Sequence, residues 1–271
     1  MTRLAGVLGD PIGHSLSPRL HGHWLARYGL DGRYVPLHVK ADDLAATLAL
    51  LPQLDFAGVN VTIPHKETTF ALADQVTDRA KMAGAANTLI FRDGKILADN
   101  TDGVGFVASL RQGDPDWSAA RPATLVGAGG AARGIAAALL DAGVPGVTIV
   151  NRTTARAEAL AALFDDRVTA RPWREIDMAL DGTGLLVNAT SLGMQGQPPL
   201  DLDLHPLPVD ATVTDIVYSP LTTPLLATAR ERGNPTVDGL GMLLHQAVPG
   251  FAAWFGVTPE VDDDLRRAVL A

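Results

Sequence analysis

Lys66 ends the run Asn60-Val-Thr-Ile-Pro-His-Lys66, in which an alternating apolar and polar segment delivers an ammonium. An ammonium can stabilise a developing alkoxide and give it a proton, and its neutral form can take one back. Other polar groups are punctuated in the same way. Ser15 and Ser17 follow the apolar run Leu4 to Leu8, and two hydroxyls on a loop after a strand suit a polyol or a carboxylate. Asn87 and Asp102 flank a predicted hairpin, Leu89 to Phe91 and Ile96 to Ala98, around the turn pair Asp93-Gly94. Each residue also has a plainer reading. Ser17 suits the N-cap of a helix opened by Pro18, Asn100 or Asp102 could cap the helix starting near Val104, and a lysine at a helix start is commonly solvated. Strand carboxyl ends in an α/β sheet share one edge, where ligands sit, so Ser15/Ser17, Thr62/Lys66 and Asn87/Asp102 are expected to converge there.

The elements that must position these groups alternate between strand and helix. Tyr34 to Val39 and Gly58 to Ile63 read as strands, and Ala41 to Leu51 as an amphipathic helix with Leu44, Leu48 and Leu51 on one side. After the linker-like Gln112-Gly-Asp-Pro-Asp116, the strand Thr124 to Val126 breaks into Gly127, Gly129 and Gly130 and an alanine-rich helix running to about Asp141. Gly143 ends that helix, and Val147 to Val150 is a second buried strand. Strand, glycine turn, helix and strand in this order form a dinucleotide-binding βαβ unit. Gly127 makes the tight turn, Gly129 admits a pyrophosphate, and Ala132 permits close helix packing. Further strands are expected at Gly184 to Asn188 and Thr212 to Tyr218, with helices from Ala155, capped by Thr154, and from Thr223-Pro224.

The second strand of the unit ends on Asn151-Arg152-Thr153, with Arg156 beyond. An acidic residue there would bind a ribose 2′-hydroxyl; cationic side chains instead suit a 2′-phosphate, so NADP is the expected cofactor.

Composition narrows the classes. The chain has 271 residues, 47% of them hydrophobic, enough for two modest domains. A net charge of −8 without a basic cluster argues against a nucleic-acid partner. With no cysteine, disulfides, thiolate nucleophiles and cysteine zinc sites are excluded, and no metal is expected. There is neither a long apolar leader nor ~18 uninterrupted apolar residues, so no membrane partner and a cytoplasmic location are expected.

Taken together, Gly9-Asp-Pro11, Ser15-Leu-Ser-Pro18, Asn60 to Lys66, Asn87-Thr88, Asn100-Thr-Asp-Gly103, the Gly127 turn, Asn151-Arg-Thr153 and Gly239-Leu-Gly-Met242 stand in the order found in the shikimate dehydrogenase family, which the chain resembles along essentially its whole length. The resemblance implies NADP-dependent interconversion of 3-dehydroshikimate and shikimate, with Lys66 and Asp102 as the catalytic pair. It implies Ser15, Ser17, Thr62, Asn87 and Gln246 as substrate-binding groups, with Tyr218 near the substrate. The cofactor set expected with it is Asp78, Gly127, Ala128, Gly129, Gly130, Ala131, Asn151, Arg152, Thr153, Arg156, Ile216 and Gly239. It also implies a discontinuous α/β substrate domain, 1–104 with 240–271, and a Rossmann-like NADP domain, 105–239, with both ligands in the cleft between them; a homodimer is a candidate assembly. Quinate/shikimate dehydrogenases are the alternative. Those preferring NAD typically carry an acidic residue after the second strand, and those accepting quinate often have Thr at the position of Ser17; Arg152 and Ser17 favour the shikimate-specific, NADP-using branch. Ser219 stands where many relatives have Asn, away from the proposed catalytic roles. A catalytically silent NADP sensor would tolerate loss of Lys66 or Asp102, and both are present.

Overall fold

The computed structural model describes residues 2–271. The chain divides into two compact units, Met1–Thr101 with Leu244–Ala271, and Asp102–Leu243. In chain order the first unit contains β1 (Arg3–Gly9), α1 (Ser17–Arg27), β2 (Gly32–His38), α2 (Leu44–Leu50), β3 (Phe56–Val61), α3 (Lys66–Leu72), β4 (Gln75–Val76), α4 (Asp78–Ala83), β5 (Thr88–Arg92) and β6 (Lys95–Asp99). Its six-stranded sheet has the order β2-β1-β3-β5-β6-β4. β1 runs parallel to β2 and β3, whereas β5 is antiparallel to both β3 and β6. The expected two-residue turn joins β5 and β6, with Asp93 and Gly94 both at positive φ.

That hairpin corrects the expectation that three strand carboxyl ends deliver the polar groups. β1 and β3 do so, but Asn87 precedes β5 and reaches the same edge from a strand's amino end, because β5 runs against β3. Asn60 pairs with Thr88, and Thr88 with Asp99, so the start of β5 and the end of β6 lie at the carboxyl edge of β3. The capping expectation for Ser17 is also corrected: Leu16 precedes α1, Ser17 is its first helical residue, and Pro18 fills the first turn.

The second unit runs through α5 (Asp102–Gly113), β7 (Ala123–Val126), α6 (Gly130–Asp141), β8 (Val147–Asn151), α7 (Thr154–Ala161), β9 (Val168–Pro172), α8 (Ile176–Leu180), β10 (Leu185–Asn188), β11 (Thr212–Asp215), α9 (Pro224–Arg232) and β12 (Thr236–Val237). All its strand pairs are parallel, in the order β12-β11-β10-β7-β8-β9. Numbered within the unit, this is the doubly wound order 3-2-1-4-5-6, whose switch point lies between β7 and β10. Buried on both faces, the strands need continuous apolar runs, and Leu125, Ile149, Val187 and Val213 are fully enclosed. β11 stops at Asp215 rather than Tyr218, because the Asp215 carboxylate accepts the Val217 N–H at 3.0 Å and turns the chain. Thr153, not Thr154, occupies the position before α7, and its side chain makes no capping bond.

α10 (Leu240–Phe255) re-enters the first unit from Leu244 onward, and α11 (Asp263–Leu270) follows, its first turn capped by Asp262. One face of the first sheet buries Leu8, Leu44, Leu48, Val59, Val61 and Leu89. Over the other, His21, Trp24, Tyr34, Phe251 and Trp254 form an aromatic cluster. Gly58 is the contact that lets α10 approach, since a Cβ there would lie 2.1 Å from the Trp254 indole nitrogen. That nitrogen donates to the Leu89 carbonyl at 2.9 Å. Among the described residues, no helix is long and apolar enough to cross a membrane.

Candidate active site

In the first unit, the loops after β1 and β3 are tied together: the Asp10 N–H donates to the Ile63 carbonyl at 3.1 Å, and a Cβ on Gly9 would meet the Thr62 methyl at 2.5 Å. Thr62 therefore sits against the end of β1, ahead of Ser15 and Ser17. The Ser15 hydroxyl accepts the Ser17 N–H at 3.3 Å, and Ser17 is buried in the first turn of α1. Lys66, half-buried, opens α3, and its carbonyl accepts the Ala86 N–H at 2.9 Å, which anchors the lysine backbone next to Asn87. His65 is enclosed with its ring nitrogen 2.7 Å from the Val39 carbonyl, a structural tether between α3 and the end of β2. His14 is exposed.

Asn87 and Gln246 are both buried and in direct contact. Around them lies a network that residue types alone did not expose. Tyr34, Asn60, Thr88 and Thr101 join Asn87 through hydrogen bonds of 2.6–3.2 Å. Alternation along β3 marked the polar face carrying Asn60; nothing in the sequence singled out Tyr34, whose phenol reaches it from β2, on the far side of β1. Asp78 lies on α4, exposed and paired with Lys81 at 2.9 Å. Asp99 is enclosed, and although burial pushes its carboxyl up, Arg79, Thr77 and the Asn100 N–H together hold it below the usual range.

In the second unit, Gly127 ends β7 at φ 114, a left-handed conformation, and a Cβ there would lie 3.0 Å from the Ala189 carbonyl after β10. Both demands select glycine at the switch point. Beyond it Gly129 and Gly130 are exposed, and nothing lies within 4 Å of where their Cβ atoms would be. This open space faces the first turn of α6, whose unpaired N–H groups attract an anion. Ala128 and Ala131 are half-buried beside it, and Ala132 is fully enclosed in the core. At the end of β8 the Asn151 amide donates to the Thr153 carbonyl at 2.9 Å, curling the chain so that Arg152, Thr153 and Arg156 are exposed. Neither guanidinium has a side-chain partner among the described residues. An open glycine cradle for a pyrophosphate with two available guanidiniums one strand away fits a dinucleotide carrying a 2′-phosphate.

Ile216 and Gly239 follow β11 and β12 at the same edge; a Cβ on Gly239 would lie 2.4 Å from the Ile216 carbonyl, so the two segments pack backbone to backbone. Asp215, buried and with its carboxyl raised by that burial, takes bonds from Val217, Asn188 and Thr223 and so fixes the segment leading to Tyr218. Tyr218 is 36% exposed. Asp102, the first residue of α5, belongs to this unit and is half-buried.

One unit with a doubly wound parallel sheet and a glycine turn at its switch point, and another α/β unit carrying a lysine and a cluster of neutral hydrogen-bonding groups, define a nucleotide-dependent oxidoreductase architecture. Family models match at residues 7–89 (shikimate dehydrogenase substrate binding domain), 112–194 (shikimate / quinate 5-dehydrogenase) and 239–269 (shikimate 5′-dehydrogenase C-terminal domain). The chain belongs to the shikimate dehydrogenase family. It is 59% identical over 270 residues to the shikimate dehydrogenase (NADP(+)) of Paracoccus denitrificans, covering 99% of this chain and 96% of the relative. Among solved structures, the shikimate 5-dehydrogenase of Thermus thermophilus in complex with NADP(H) and shikimate superposes with a TM-score of 0.89 at 36% identity, covering 100% of this chain and 99% of the other. The quinate dehydrogenase of Corynebacterium glutamicum in complex with NAD does so at 0.92 and 31% identity, covering 99% of each chain.

Proposed function

We propose that this chain catalyses the reversible NADPH-dependent reduction of 3-dehydroshikimate to shikimate, a step of aromatic amino-acid biosynthesis, in the cytoplasm. It is an oxidoreductase acting on a CH–OH group, its ligands are small molecules rather than nucleic acid, and a homodimer is its candidate assembly. The observation that carries the reading is the meeting of Asn87 and Gln246 next to the anchored backbone of Lys66, a set of groups suited to a polyol ketone. Residues 1–104 with 240–271 bind the substrate, and 105–239 bind NADP.

When bound, the nicotinamide supplies or accepts the hydride. Lys66 stabilises the negative charge growing on the carbonyl oxygen and delivers the proton; in the oxidation direction its neutral form accepts one. Ser15 and Ser17 donate to the substrate carboxylate, Thr62, Asn87 and Gln246 hold ring hydroxyls, Asp102 is the second member of the catalytic pair and accepts from a substrate hydroxyl, and Tyr218 lies near the substrate. Gly127 to Ala131 take the pyrophosphate on the α6 N-terminus, Asn151, Arg152, Thr153 and Arg156 the adenosine phosphate, and Ile216 and Gly239 the nicotinamide side, with Asp78 as a further cofactor contact.

Lys66→Ala tests the assignment. Turnover of shikimate should fall by about a hundredfold or more with NADP affinity within about twofold of wild type, since a positioned proton donor contributes on that scale. Turnover within about twofold of wild type would overturn the role of Lys66.

A further inference from the structure

The hydrogen bonds around Asn87 fix which way its amide faces. The Thr101 backbone N–H can only donate, and it lies 2.8 Å from Asn87 Oδ1, which fixes that atom as oxygen. The Asn87 carbonyl can only accept, so the Asn60 atom 3.1 Å from it is the amide nitrogen. Asn60 Oδ1 then faces Tyr34, whose single proton it takes at 2.6 Å. Asn60 also donates to Thr88 Oγ1 at 3.1 Å, and Thr88 donates onward to Asn87 Oδ1 at 3.0 Å. The Thr101 hydroxyl faces two acceptors, Asn87 Oδ1 at 3.1 Å and the Gln246 backbone carbonyl at 2.8 Å, the shorter of the two. Turning the Asn87 amide over would set its NH2 group against the Thr101 N–H, which can only donate.

We propose that Thr101 is a positioning residue for substrate recognition: its backbone N–H locks Asn87 with the amide nitrogen toward the substrate, and its hydroxyl clamps Gln246 to the same point. Thr101 is completely buried and bonds both Asn87, just before β5, and Gln246 on α10. Asn87 is thereby a donor in one fixed direction, and the substrate oxygen it meets is an acceptor. The inference rests on the substrate roles proposed above for Asn87 and Gln246.

Two substitutions separate the clamp from mere packing. Thr101→Val keeps the volume and removes the hydroxyl; Thr101→Ser keeps the hydroxyl and removes a methyl. A clamp predicts that Val raises KM for shikimate by about tenfold while Ser stays within about threefold, with KM for NADP unchanged in both. A packing role predicts the reverse order, with Ser the more damaged and losing the more in Tm. Should Thr101→Val not fold, Thr101→Ala against Thr101→Ser reads the same hydroxyl: damage in both alike overturns the clamp, and damage in Ala alone supports it. Wild-type protein without shikimate turnover would sink the proposed function. Wild-type turnover with an unaffected Thr101→Val would sink only the role of Thr101.

Discussion

The Asn87 amide nitrogen donates to Gln246 Oε1 at 3.2 Å, joining residues 159 positions apart in the chain. The contact ties α10 to the polar network at the edge of the first sheet, although its residues come long after that sheet is complete. Gln246→Leu, similar in size but without the amide, should raise KM for shikimate about tenfold or more, because Asn87 then loses a buried partner as well. NADP binding, measured by fluorescence titration, should be unchanged. Equal loss for both ligands would contradict a substrate-side role for Gln246.

Arg152, just after β8, and Arg156, in the first turn of α7, are exposed and have no side-chain partner among the described residues, so removing either charge disturbs little of the fold. Arg152→Ala should weaken NADP by about tenfold or more, the scale of one charge-assisted phosphate contact, and leave NAD nearly untouched. A parallel loss for NADP and NAD would show that Arg152 does not read the 2′-phosphate.

The doubly wound unit was legible in the sequence because a glycine turn between a buried strand and an alanine-rich helix has few physical alternatives. The Asp93-Gly94 hairpin was legible for the same reason. The local ends were less so: Ser17 and Thr154 look like caps, yet each is already inside its helix, since capping depends on the φ and ψ of a single residue. The network through Tyr34 was not legible, because Tyr34 on β2 reaches Asn60 on β3 across the intervening β1, a relationship that exists only once the three strands are in register.

His21 supplies a pH dependence. It stacks on Tyr34 with ring centroids 3.9 Å apart, and among the described residues neither ring nitrogen has a hydrogen-bond partner. Burial pushes its pKa down to about 3, with nearby Asn60 opposing. Between the ordinary value of 6.5 and about 3, the unfolded chain therefore holds a proton that the folded chain does not. Stability is full above that window and falls as the pH drops through it, by up to about 1.4 kcal/mol per pH unit. Urea unfolding of His21→Phe should show a flatter decline between pH 6 and pH 4 than wild type. Parallel curves would mean that His21 is not the group responsible.

The central claim concerns both ligands at once, so the most direct measurement is nicotinamide absorbance across shikimate or quinate combined with NADP or NAD. Turnover concentrated in the shikimate–NADP combination is the expected result, with Ser17 limiting the substrate and Arg152 selecting the cofactor. Comparable turnover of quinate, or with NAD, would contradict that specificity and place the enzyme on the quinate/shikimate branch. Absence of turnover in all four combinations would contradict the proposed function itself.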